Sequence, residues 1–161
     1  MKIIFLDIDG VLNHEDWFEK VQKPMSKAAK EIEILGKMGN CIFWTWHIDP
    51  EKVELIHKIQ KETDAKIVLS SSWRHMEDVK RILEMRNIDF IDVTPDFIET
   101  DGDRGEEIQD WLHNHPEVTH FVIIDDDSDM LETQMNNFIQ TDGQMGLQKE
   151  HVKQAIEILN K

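Results

Sequence analysis

The chain has 161 residues, 40 % apolar and 32 % charged, enough to build a core and too apolar to stay disordered. Its 33 acidic and 18 basic side chains give a formal charge of −15, which excludes the broad basic face of a generic nucleic-acid binder and leaves room only for a local one. A single cysteine, Cys41, excludes an intramolecular disulfide, and no stretch approaches the ~20 apolar residues of a membrane span. The N-terminus reads as a strand rather than a signal peptide, so a cytoplasmic protein is expected.

Residues 3–6 are a continuous apolar run, as a strand buried on both faces requires, and they lead straight into Asp7, Ile8, Asp9 and Gly10. Residues 13–48 then form a long connection carrying Trp17, Phe18, Phe43, Trp44 and Trp46, with a helix predicted over 26–38 around Ala28, Ile32 and Leu35. An excursion of this length is either a flap or small cap, or cover for a sheet edge. Asp49 caps a helix whose first residue is Pro50, with Val53, Ile56 and Ile59 on one face. A second strand at 67–69 precedes a stripe of Met76, Val79 and Leu83, with Arg86 at its polar end. A third strand is expected over 88–93, interrupted by Asp89 and Asp92. Asp103 and Glu106 read as a capping box ahead of Ile108, Trp111 and Leu112. Strands at 121–124 and, more weakly, 138–139 follow, and Val152, Ala155, Ile156 and Leu159 mark a C-terminal helix. Strands alternating with helices imply α/β architecture: one Rossmann-like domain over 1–161, a three-layer α/β/α sandwich on a mainly parallel five-stranded sheet.

Ligands of an open parallel sheet bind beyond the carboxyl ends of its strands. The first run is followed by Asp7 and Asp9, the second by Ser70, Ser71, Ser72 and Arg74, and the fourth by Asp125, Asp126, Asp127 and Asp129, while Arg104 opens the helix before that strand. Two carboxylates ~4 Å apart repel by roughly 4 kcal/mol at an effective dielectric near 20. A cluster of them takes up protons or a cation, and a few hard oxygen donors suit Mg²⁺. Asp7, at the strand end, is placed to attack phosphorus; Asp9, two residues on, to protonate the leaving oxygen and then deprotonate water. Gly10 allows a sharp turn. Ser70 and Arg104 are placed to stabilise charge on the phosphoryl oxygens, and Ser71, Gly10 and Arg74 to hold the substrate.

The segment "DIDGVL" resembles the first signature of the haloacid dehalogenase (HAD) superfamily, "IVLS" its second, and "IIDDDSD" its fourth; Arg104 in "DRGEEIQDWL" stands where the third usually has a lysine, with Lys80 and Arg74 as lesser matches. The pattern also resembles the small HAD domains associated with RNA-repair polypeptides. That resemblance implies a HAD-like fold and Mg²⁺ held by the Asp7 side chain, the Asp9 backbone carbonyl and Asp125 or Asp126, with Asp129 assisting or capping the next helix. It also implies phosphoester hydrolysis, because superfamily phosphatases keep an acid two residues after the nucleophile. The expected substrate is a nucleotide or the terminal phosphate of RNA or DNA.

Other readings lie beside these. A receiver-like phosphoacceptor domain would use Asp92, and a non-catalytic HAD-like module would only bind a partner. "DIDG" as a calcium loop fails, since Val11 and Leu12 occupy positions that need an oxygen ligand and a glycine. His113 and His115 read as a solvated helix end, Cys41 as a buried structural thiol, and Trp73 and Trp111 as packing residues.

Overall fold

The computed structural model describes residues 1–96 and 103–161. Five strands, β1 (Lys2–Leu6), β2 (Lys66–Leu69), β3 (Asp92–Val93), β4 (His120–Asp125) and β5 (Phe138–Gln140), form one sheet in the order β3-β2-β1-β4-β5. Every pairing is parallel. β1 lies at the centre, and its four apolar residues are fully buried because both faces are covered. Ile4 and Leu6 face a core built with helices α3 (Pro50–Thr63), α4 (Val79–Glu84) and α6 (Lys149–Leu159). Ile3 and Phe5 face the opposite side, against Ile108 and Trp111 of α5 (Arg104–Asn114). This is the Rossmann-type α/β arrangement that the alternating pattern implies.

The helix expected over 26–38 is instead a hairpin of two helices, α1 (Glu15–Ile34) and α2 (Lys37–His47). Gly36, at φ +55°, makes the turn between them. At Gly39 the helices touch so closely that a Cβ would collide with the Ile32 carbonyl. Trp17 Nε1 donates to the Trp46 carbonyl across the pair (2.9 Å). The hairpin's neck is closed by a buried contact between His14 Nε2 and Asp49 Oδ2 (2.9 Å) and by Asp49 N donating to the Leu12 carbonyl (2.8 Å). Arg86 is not a free polar end: its Nε donates to the Thr45 carbonyl near the end of α2 (3.0 Å).

Two further expectations change. The third strand shrinks to Asp92–Val93, because Asn87 turns the chain through the left-handed region (φ 58°) and Ile88 N bonds back to the Leu83 carbonyl. Asp103 precedes α5 but makes no side-chain cap bond, so the capping box does not form. The cap comes from Asp129, whose Oδ2 accepts from Arg104 N (3.1 Å) while its carbonyl accepts from Gly105 N (3.1 Å). Gly105 is what lets this end of α5 approach so closely, since a Cβ there would lie 2.6 Å from Leu131 N.

A buried ion pair ties the tip of β2 to α5. One terminal nitrogen of Arg74 donates to both Glu107 oxygens (2.7 and 2.9 Å), and the other donates to the carbonyls of Ser70 and Ser71 (3.0 and 3.3 Å). Removing one member of such a pair strands the other charge away from water. Glu107→Ala is expected to cost about 3 kcal/mol and to lower the thermal midpoint by about 6–12 °C, read by circular dichroism melts; an unchanged midpoint would show the pair to be without structural weight.

Candidate functional site

β1 and β4 are neighbours in register, with Leu6 opposite Ile124, so the residues after them emerge side by side at the carboxyl end of the sheet. Asp7 N donates to the Ile124 carbonyl (3.1 Å), which sets Asp7 next to Asp125. Both are almost fully buried, at 4 % and 1 % exposure. Together with Asp126 they offer three carboxylate oxygens that all lie within 4.8 Å of one another. Asp126 reaches this position because residue 10 has no side chain: at Gly10 (φ +65°) a Cβ would sit 2.1 Å from Asp126 Cγ. The Gly10 carbonyl is held in turn by Thr141 Oγ1 (2.8 Å).

One guanidinium nitrogen of Arg104 bridges two of the acids, donating to Asp7 Oδ1 (2.9 Å) and Asp125 Oδ2 (3.0 Å). Asp125 Oδ1 accepts from Asp127 N (3.0 Å). Among the described residues Arg104 is the cation bonded to this trio, and it contacts two of the three carboxylates. Burial raises Asp7, against the opposing pull of Arg104 and of hydrogen bonds from Arg104 and Ser71. Burial and then the Asp7 charge push Asp125 up to about 8. Burial also raises Asp126, with Asp7 adding to it. Hard oxygen donors with charge left over are the donor set of a divalent cation.

Beside them, the Ser70 hydroxyl is fully buried and has no hydrogen-bond partner among the described residues. A buried hydroxyl without a partner is costly and is a candidate contact for a ligand. The Asp9 carboxylate stands apart from the trio. It is exposed and accepts from Trp73 Nε1 (3.1 and 3.0 Å) and Asn13 Nδ2 (2.6 Å).

The family model of the HAD domain in Swiss Army Knife RNA repair proteins matches residues 3–152. The chain belongs to this family. No curated protein and no solved structure matches it.

In this HAD domain the residues after β1, β2 and β4 stand side by side, and Arg104, read from the sequence as the third-motif cation, contacts Asp7. Both fourth-motif candidates, Asp125 and Asp126, belong to the trio. Asp129 does not; it caps α5, the helix before its strand rather than the next one. Arg74, expected to hold substrate, is engaged with Glu107 and backbone carbonyls, since a buried guanidinium needs those partners. Lys80 is exposed on α4. Asp92, the acceptor of the receiver-like reading, lies on the edge strand β3, where it accepts from Trp111 Nε1 (2.7 Å). His115 stacks on Trp111 with ring centroids 3.7 Å apart.

Trp73 and Asn13 are the site residues that sequence reasoning missed. A signal existed for Trp73: a buried indole N–H needs an acceptor, and "SSSWR" lies just beyond a strand tip.

Asp7 and Asp125 have folded-state values above the carboxylate value near 3.9 of an unfolded chain, so the protonated site is the stabilised one. That contribution is complete below about pH 4 and is lost as pH rises through about 8. With a chelator present, the thermal midpoint is expected to fall between about pH 4 and about pH 8 and to level off above, and Asp125→Asn to flatten the fall. Melts of both proteins across that range check it; parallel curves would rule out Asp125 as the group responsible.

Proposed function

We propose that this HAD domain is a Mg²⁺-dependent phosphatase that passes a phosphoryl group from a phosphomonoester to Asp7 and then to water. The observation that carries the reading is the trio of Asp7, Asp125 and Asp126, the first two buried, offset by Arg104 alone among the described residues, with the Ser70 hydroxyl, which has no partner among them, alongside. The Asp7 and Asp126 side chains and Asp125 would hold Mg²⁺, with the Asp9 carbonyl as a further oxygen donor. When bound there, the ion supplies charge that offsets the carboxylates and the phosphoryl oxygens.

An Asp7 carboxylate oxygen forms a bond to phosphorus as the bond from phosphorus to the leaving oxygen breaks. Asp9 gives its proton to that oxygen. In the second half, Asp9 takes a proton from water, the water oxygen bonds to phosphorus, and the aspartyl bond breaks to release phosphate and restore Asp7. Trp73 and Asn13 hold the Asp9 carboxylate by three hydrogen bonds from two sides, so they are positioning residues for this proton transfer. Ser70 Oγ donates to a phosphoryl oxygen, and Arg104 neutralises charge that develops there. The family's association with RNA repair makes a terminal phosphate on RNA, or a nucleotide, the substrate class to test first.

Phosphate release with Mg²⁺ is expected from 3′- or 5′-phosphorylated oligonucleotides or nucleotides, and Asp7→Asn is expected to abolish it. Asp9→Asn is expected to slow turnover by about 10²–10⁴-fold and to accumulate phosphoenzyme on a good leaving group. Equal rates for wild type and Asp7→Asn would exclude the nucleophile; no release from any phosphoester would leave a partner-binding module. Trp73→Phe keeps an aromatic ring and removes the N–H bonded to Asp9. A fall in kcat of about tenfold with KM little changed is expected, and an unaltered kcat and pH profile would mean that Trp73 only packs.

A further inference from the structure

A cavity of about 750 Å³ opens between the α1–α2 hairpin and the loop after β1. Its size is that of a pocket for one drug-sized molecule. Asp9, Gly10 and Asp126 form its inner end, so it opens directly onto the carboxylate site. Its outer wall is aromatic. Phe18 lies parallel to His47, with centroids 5.3 Å apart and planes at 29°, and the edge contact of Phe43 with His47 extends the wall at 4.7 Å. Phe18 and Phe43 remain 46 % and 38 % exposed. Trp44 continues the wall inward, edge-on to Trp73 at 5.4 Å, and Trp73 is the residue that holds Asp9.

The charges on this cavity have one sign apart from histidine. Glu15 and Glu19 stand on its α1 side and Asp9 and Asp126 at its inner end, and among the described residues neither lysine nor arginine lines it. A second phosphate inside would face these carboxylates. A planar, uncharged ring would find apolar faces to stack on and carboxylate acceptors for its N–H groups.

We propose that this cavity holds the leaving group, and that the leaving group is a single nucleoside whose base stacks on the wall of Phe18, Phe43, Trp44 and His47. The inference deepens the phosphatase reading and rests on it for the orientation of the phosphate toward Asp7. The ligand chemistry is a nucleoside bearing one phosphomonoester. It is met both by a free nucleoside monophosphate and by the last nucleotide of a phosphorylated strand whose next phosphate lies outside the mouth.

Binding of uncharged adenosine, followed by isothermal titration calorimetry in chelator, tests the cavity without any catalysis. Adenosine is expected to bind at least about tenfold more tightly than ribose, and Phe18→Ala and Phe43→Ala each to weaken it by about five- to tenfold with the thermal midpoint kept, since both rings are half exposed. Ile34→Ala, an exposed apolar change at the far end of α1, is the control that keeps wild-type binding. In Mg²⁺, kcat/KM is expected to be higher for adenosine monophosphate than for ribose 5-phosphate, and Phe43→Ala to reduce that ratio. Comparing adenosine 3′-monophosphate with a 3′-phosphorylated tetraribonucleotide separates the two sources, and preference for either over ribose 5-phosphate supports the pocket. Adenosine binding no tighter than ribose, or undiminished in both phenylalanine variants, overturns it. Release from sugar phosphates with no nucleotide preference overturns the pocket and keeps the phosphatase. Adenosine binding without any phosphate release keeps the nucleoside pocket and overturns the phosphatase.

Discussion

Three carboxylates crowded at the end of a central strand repel one another, and most of this structure can be understood as the means of holding them there. Asp7 and Asp125 are buried where their charged forms are least stable, and Asp126 closes on them through the gap left by Gly10. Left in water, the three would separate. The parallel register of β1 and β4 prevents that, because a bond from Asp7 N to Ile124 fixes the first acid against the strand that bears the other two. Arg104 relieves part of the repulsion and leaves the site short of positive charge. An excess of negative charge held in place by the backbone has the chemistry of a cation site, and the phosphatase reading proposed above rests on it.

Positioning Arg104 takes several distant segments. Asp129 caps the first turn of α5, and Gln134 Nε2 donates to the Gly105 carbonyl in the same turn (2.8 Å). Glu107, one turn along, pairs with Arg74, which also grips the carbonyls of Ser70 and Ser71. The hydroxyl-bearing tip of β2, the cation on α5 and the acid loop after β4 are thereby joined by direct bonds. The Asp9 carboxylate stands outside this network and is steered instead by Trp73 and Asn13. Buried, cross-linked groups suit charge stabilisation, whereas a group that must exchange a proton with water benefits from exposure.

What could be read in the sequence follows from the range of the forces involved. The tips of β1, β2 and β4 were legible because a buried parallel strand is a continuous apolar run, and polar residues at its end stand out. The α3 start was legible from Asp49 and Pro50 because a cap acts over two residues. The α1 start was obscured by a charged stretch with Pro24 inside the helix, a residue that normally marks a break. The α5 cap was misplaced on Asp103 because the residue that performs it is 25 positions away in sequence. Arg74 was assigned to substrate for the same reason: Glu107, 33 positions on, is invisible until the chain is folded. Local rules found the acids, while the pairings that decide what each charge faces are long-range.

The His14–Asp49 clasp brings the entry and exit of the α1–α2 hairpin together, while α2 is seated on the domain through Cys41 in the core and Thr45 against Arg86. The hairpin's exposed wall, Phe18 and Phe43 included, can change without altering the register of any strand, whereas its Cys41 and Thr45 face is fixed by the core. A change of ligand preference around the same acid centre is therefore sought first on the exposed face of the run from 15 to 48.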